Sequence, residues 1–368
     1  MKKIFTVLTS IALTFALSFS AAFANDDALM KSQNYLKTIT LDSPDAVIAY
    51  EATGMEADYK ADALLNNFKE TDYVSASYGD LAKSIIAISL LGENPKDFNK
   101  TNLVEILENR VQEDGTLTND VNGGCGATIW TLMALETVNS PKVKAVADKL
   151  STMAMDNGAY WYEYQGQNAD LDTTGWAMEA LSVAGRSTYK AAISKAYTFV
   201  QSKLNSADGY YDNWGGNADT QSCVLEGLSV AGYTLDTNAY NYLLSYQNED
   251  GTFNALNYST GQLEPNAYAS VEGARALGVI NNGSFVLMAR RDYTNTTTPV
   301  VTEPETPTTP TTPSTTTPAV KPETTTTEPK KETVKVVNTG DNTNVMAYVV
   351  AAIAAVGVIV LVIKSKKK

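Results

Sequence analysis

The sequence predicts an all-α fold: six inner and six outer helices closed into an α6/α6 ring, then a disordered Thr/Pro stalk and one C-terminal transmembrane helix. Three observations predict it. One apolar run recurs six times, as "DAVIAYEATG", "KSIIAISLLG", "WTLMALETVN", "WAMEALSVAG", "CVLEGLSVAG" and "SVEGARALG". Its small inner residue falls at Ala49, Ala87, Ala134, Ala180, Gly227 and Gly273, at spacings of 38, 47, 46, 47 and 46. Five residues on stands Gly54, Gly92, Asn139, Gly185, Gly232 or Gly278, and Gly or Asn is what a helix ending in the left-handed conformation requires.

The elements follow in chain order. Residues 1–24 read as a signal peptide, with Lys2 and Lys3 basic, an apolar stretch from Ile4 to Phe19, and the small-x-small site Ala22-Phe23-Ala24. A short lead, 25–40, precedes the repeats of 41–291. Within each repeat a second, amphipathic helix follows the apolar one; "TNLVEILENRV", "PKVKAVADKLSTMA", "TYKAAISKAYTFVQSKL" and "TNAYNYLLSYQ" are examples, polar on one face as an outer helix should be. A tight turn follows each: "EDGTL", "DNGAY", "ADGYY", "EDGTF". Such pairs stack as an open solenoid or close on themselves. The end repeats are as apolar as the middle ones, which favours closure.

Residues 292–344 are dominated by Thr and Pro and bury too little apolar surface to offset their ordering entropy. Val345 to Ile363 carries no charge and is long enough to span a bilayer, and the basic tail 364–368 holds that end in the cytoplasm. The expectation is an exported protein tethered by its tail.

Outside 25–291 lie ten basic and seven acidic residues, so the repeat region keeps 18 basic and 34 acidic, a net charge of −16. That balance argues against nucleic acid. The chain has no His, which excludes His-based catalysis and His-ligated metals, and its Cys125 and Cys223 are too few for a disulfide scaffold. No cofactor is called for.

"YLLSYQNEDGTF" resembles the repeat signature of squalene and oxidosqualene cyclases, with Tyr242, Leu243, Gln247, Gly251 and Phe253 in its places; "KAYTFVQSKLNSADGYY" is a looser copy. The resemblance covers roughly 41–291. It implies the α/α toroid shared by terpenoid cyclases, protein prenyltransferases, complement-type thioester domains and cobalamin carriers. Function does not follow from such a fold.

In the class II cyclases an Asp-x-Asp-Asp motif at the start of an inner helix protonates the substrate. On that pattern Asp170 and Asp172 match the first and middle Asp, and Thr173 replaces the last. Asp172 would be the general acid and Asp170 would keep it protonated. The competing reading is a helix cap: Asp172 and Asp219 occupy the same place in successive repeats, and Asp42 and Asp80 stand one residue later in theirs. The recurrence puts the cap first and the acid second. "GGCGAT" resembles the start of the thioester motif, but Thr128 stands where the required Gln would be.

The loops leading into the inner helices, "GAYWYEYQGQNAD", "GYYDNWGGNAD" and "GTFNALNYSTGQLE", all open at one end of the ring. Tyr160, Tyr211 and Phe253 are expected to pack between repeats, whereas Trp161, Tyr162, Tyr164 and Trp214 are surplus to that role. With Trp130 and Trp176 a turn below and Asp219 beside them, they predict a ligand site. Aromatics mixed with amides around a concave mouth suit a glycan or another weakly polar small molecule.

"VVNTGDNTN" resembles a degenerate cell-wall sorting signal, with Thr339 and Gly340 in place and Val336-Val337 for Leu-Pro, which implies a Gram-positive surface protein open to sortase processing. Three functions follow in rank: a surface receptor for a small molecule or glycan, a cyclase-like enzyme using Asp172, and a protein adhesin or spacer.

Overall fold

The computed structural model describes residues 26–56, 62–120, 123–213 and 215–297. The leader 1–24, the stalk beyond Thr297, the apolar span, the basic tail, the sorting-like motif and Trp214 lie outside them.

Thirteen helices are described: α1 (Asp26–Leu36), α2 (Pro44–Ala52), α3 (Asp62–Glu70), α4 (Tyr78–Leu90), α5 (Leu103–Glu108), α6 (Gly126–Thr137), α7 (Val143–Ser151), α8 (Leu171–Gly185), α9 (Lys190–Ser202), α10 (Ala218–Val230), α11 (Thr237–Leu244), α12 (Ala267–Asn282) and α13 (Phe285–Thr297). Strand structure is confined to three antiparallel hairpins among the described residues: β1–β2 (Tyr160–Glu163, Gln167–Asp170), β3–β4 (Leu204–Asn205, Tyr210–Tyr211) and β5–β6 (Phe253–Asn257, Gln262–Asn266). The described residues are mostly helical, and the hairpins form no sheet core among them.

The six even-numbered helices up to α12 are the six apolar runs. They are buried around most of their circumference, as α10 illustrates, with every residue from Thr220 to Leu228 buried. Each packs on the next, α2 on α4, α4 on α6, α6 on α8, α8 on α10 and α10 on α12, and α12 packs on α2. Glycines permit this approach: a Cβ at Gly227 would collide with the Gly175 carbonyl, and one at Gly278 would stand 2.5 Å from the Ala52 carbonyl carbon.

The odd-numbered helices bury one face only, α7 through Val146, Ala147 and Leu150, α9 through Ile193, Ala196, Phe199 and Val200. The turn glycines after α5, α7 and α9 each seat on the backbone of the next outer helix: Gly115 on Ala145 of α7, Gly158 on Lys195 of α9, Gly209 on Asn238 of α11. Gly251 completes the series against Lys31 of α1, and Gln247 Nε2 donates to Ala28 O and Ser32 Oγ, both at 2.9 Å. The segment read as a lead is therefore an outer helix, with Ala28, Ser32 and Leu36 buried.

With that place taken by α1, α13 goes elsewhere. It packs on α4 and α6 and, more lightly, on α2. Ser284, just ahead of it, donates to Glu179 at 2.8 Å, Phe285 stacks on Trp130 at 6.2 Å, and Arg290 pairs with Glu136 at 2.6 Å. It also runs six residues past the expected end of the repeats, to Thr297.

Tyr160, Tyr211 and Phe253 are wholly buried, as expected of packing residues, and their N–H groups donate to Thr174 Oγ1, Gln221 Oε1 and Ser270 Oγ on the following inner helix. Gly54, Gly92, Asn139 and Gly232 have the left-handed φ expected at helix ends, between 51° and 83°, whereas Gly185 has φ 155° and Arg186 caps its helix. Gly278 has no positive φ: α12 continues over it to Asn282, and Gly283 ends it at φ 93°.

Gly227→Ala should cost about 1–3 kcal/mol of stability by overpacking the α8–α10 contact. Urea unfolding checks it, and an unchanged midpoint would mean that these helices do not touch backbone to backbone.

Candidate functional site

Five of the six inner helices begin with a side-chain cap, and the caps are not the expected carboxylates. Ser43, Ser77, Asp170, Asn217 and Asn266 serve α2, α4, α8, α10 and α12, while α6 has none. Asp170 Oδ2 accepts from Thr173 N at 2.8 Å and from Thr173 Oγ1 at 2.6 Å. The cap reading thus belongs to Asp170, two residues before Asp172, and to Asn217, two before Asp219. Asp42 immediately precedes the cap Ser43, and Asp80 is held by the cap Ser77.

Freed from capping, Asp172 and Asp219 sit in the first turns of α8 and α10 within an acidic group. Asn213 bridges Asp170 Oδ1 at 2.8 Å and Asp172 Oδ1 at 3.4 Å. Burial, then the charge of Asp170, pushes Asp172 up to about 7, although Thr220 hydrogen-bonds it. Burial and the charge of Glu272 push Asp219 up to about 6, and its Oδ1 is buried without a partner.

Deeper along the same helices lies a feature that sequence reading missed. Glu179, Glu226 and Glu272 each precede the small residue of their repeat and are essentially inaccessible. Arg275, itself fully buried, donates from Nε to Glu226 at 3.0 Å and from Nη1 to Glu272 at 3.3 Å. One guanidinium faces three carboxylates, so a proton stays in the group; burial and the charge of Glu226 raise Glu179 well above the carboxylate range. The signal was available as "MEAL", "LEGL" and "VEGAR", a charge recurring inside apolar helices.

A cleft of about 670 Å³ is lined in part by Thr173 and Trp176 of α8. It lies where α4, α6 and α8 begin, against the first strand of β1–β2. Tyr78, Tyr162 and Trp176 supply aromatic wall, Asn109 and Asn119 amides, Asp120 and Glu163 carboxylates. Trp130 stands behind Trp176, ring centroids 5.6 Å apart, with Lys83 Nζ 4.6 Å from the Trp130 ring centroid. "GGC" is explained by the hairpin: the β1 backbone passes 3.2 Å from where a Gly124 Cβ would stand, and Cys125 N–H donates to Trp161 O at 2.9 Å. Cys125 and Cys223 are free and buried, and burial pushes the Cys125 thiol up to about 11, so it is no thiolate nucleophile.

No family model and no curated protein matches the chain. Among solved structures it is similar to a protein from Actinoplanes, with 13% identity over 75% of this chain and 99% of the other and a TM-score of 0.44.

Of the residues the sequence singled out, Tyr162 and Trp176 line the cleft. Trp161 is half-buried and spent on structure, its Nε1 donating to Met153 O at 3.1 Å. Tyr164 is exposed on the hairpin and outside the cleft lining, Trp130 is buried behind the wall, and Asp170, Asp172 and Asp219 are not among the lining residues. No group of three or more acidic or Cys residues among the described ones is arranged to hold a metal.

Asp172 holds its proton more tightly folded, near 7, than at its ordinary value of 3.8. The stability this contributes is complete below about pH 4 and is lost as pH rises through 7. Asp172→Asn should therefore match wild type at about pH 4 and exceed it by about 1–3 kcal/mol at about pH 8. Urea midpoints at the two pH values check this; an equal gap at both would show that Asp172 titrates normally.

Proposed function

We propose that residues 26–297 form an α/α toroid displayed outside the membrane, and that the cleft at the end where its inner helices begin is a binding site for a glycan or similar small molecule. The packing of α12 on α2, and of Gly251 on α1, supports closure of the ring. The leader, the Thr/Pro stalk, the apolar span and the motif at Thr339-Gly340 support export, anchoring and sortase processing.

The observation that carries the binding reading is the cleft itself. Its volume falls within the range of small-molecule sites, and its wall alternates rings with amides and carboxylates. Sugars are recognised by that mixture: rings cover their C–H faces while amides and carboxylates take their hydroxyls. In a titration of the purified protein with a panel of soluble oligosaccharides, a ligand should shift Trp176 fluorescence. Trp176→Ala and Tyr162→Ala should each weaken it by about tenfold, the worth of one stacked ring, with the circular dichroism unchanged. Binding that both variants leave intact would remove the cleft as the site and bring the adhesin reading forward.

A second reading, proton-transfer catalysis of the cyclase kind, is favoured by one observation: Asp172 titrates near neutrality in a partly enclosed acidic group. Against it, Phe285, Trp130, Ser284 and the Arg275 group occupy the space between the inner helices that an extended polyprene would need. Under this reading wild type turns over a polyprene substrate and Asp172→Asn loses at least about a hundredfold; absence of any turnover by wild type disposes of it.

A further inference from the structure

Glycines inside the inner helices divide into two kinds. Gly175, Gly227, Gly273 and Gly278 are demanded by packing: a Cβ there would strike backbone of a neighbouring helix or, at Gly273, the Phe253 ring at 2.8 Å. Gly79, the second residue of α4, and Gly126, the first of α6, meet no such contact among the described residues. No described atom outside its own chain neighbours and helix backbone lies within 4 Å of where a Gly126 Cβ would stand, and at Gly79 the nearest is Ser77 Oγ at 3.9 Å. Neither has the positive φ that favours glycine. Glycine weakens a helix relative to alanine, and both of these face the same cleft. A floor kept bare of side chains is what a ligand lying against the backbone requires.

The wall says which ligand. Arg110, the basic residue of the lining, spends its guanidinium on the carbonyls of Ala76, Tyr73 and Val74 at 2.6, 2.7 and 2.8 Å. Its charge remains, but Asp120 and Glu163 are two carboxylates against that one guanidinium, so the lining is net negative, within a domain that is itself strongly negative; Glu163 Oε1 also accepts from Gly166 N–H at 2.9 Å. Tyr162 and Trp176 offer ring faces, which attract cations as well as C–H groups. The Trp176 indole N–H is buried without a hydrogen-bond partner among the described residues, so it is the ring of Trp176 that the cleft offers.

We propose that the cleft takes an amine-bearing sugar, a hexosamine unit lying flat on Gly79 and Gly126 with its ammonium toward Asp120 and Glu163 and its C–H face on the Tyr162 and Trp176 rings. This rests on the glycan reading above and narrows it.

The test titrates the full chain with tetramers of glucosamine, N-acetylglucosamine and glucose, following Trp fluorescence and heat. The glucosamine tetramer should bind at least about tenfold tighter than the other two and weaken as salt is raised to about 0.5 M. Glu163→Gln and Gly126→Leu should each cost it about tenfold or more, the latter with an unchanged thermal midpoint because its side chain enters open space. Gly79→Ala supplies a second floor variant should Gly126→Leu misfold. If the neutral tetramers bind as tightly and Gly126→Leu blocks them, the amine assignment falls and the glycan cleft stands. If no tetramer binds, or binding ignores both floor variants, the cleft reading falls with it.

Discussion

Backbone contact between the inner helices is the constraint on which the rest depends. Gly227 lies on Gly175 and Gly278 on Ala52, so these helices meet main chain to main chain rather than through side chains. Large residues are then excluded from the contacting edges. Rings and charges are left to the remaining faces, where Trp130, Trp176, Asp172 and Arg275 stand. The outer helices follow from the same arrangement. Each of these turn glycines fits against the backbone of a neighbouring outer helix, and the place beside Gly251 is filled by α1, from the far end of the chain.

That substitution of α1 for an outer helix at the C-terminus releases α13 for another task. It brings Phe285 onto Trp130, which meets Trp176, which walls the cleft. Three rings thus run from the proposed site to α13. The buried Arg275 group lies alongside and is held on α13's side by Ser284 on Glu179. Such a group is costly to break, because removing one partner leaves a charge unpaired in a dry interior; its net worth lies in fixing how α8, α10, α12 and α13 meet.

The Asp pair shows why cap and acid were hard to separate by eye. Both readings need a carboxylate at the mouth of an inner helix, and "NADLDTTG" supplies two. The difference is two residues along the chain. Asp170 has extended backbone, φ −140° and ψ 134°, and can turn back onto the Thr173 N–H; Asp172 is already helical and points away from it. Periodicity locates a helix start to within a turn, and a cap is defined more finely than that.

By itself, the sequence determined the helices. Apolar period, small residues at a spacing near 46 and a terminal Gly or Asn place all six inner runs, because each depends on contacts within a few residues. The packing role of Tyr160, Tyr211 and Phe253 was legible in the same way, from their fixed distance to the turn glycine. Only the tertiary structure decided what pairs across the chain: α1 under Gly251, α13 against α4 and α6, Trp161 turned to Met153, and Trp176 turned to the cleft. The physical reason is range. A helix is closed by hydrogen bonds four residues apart, whereas which ring faces a cavity depends on neighbours contributed from tens to hundreds of residues away, and no local pattern records them.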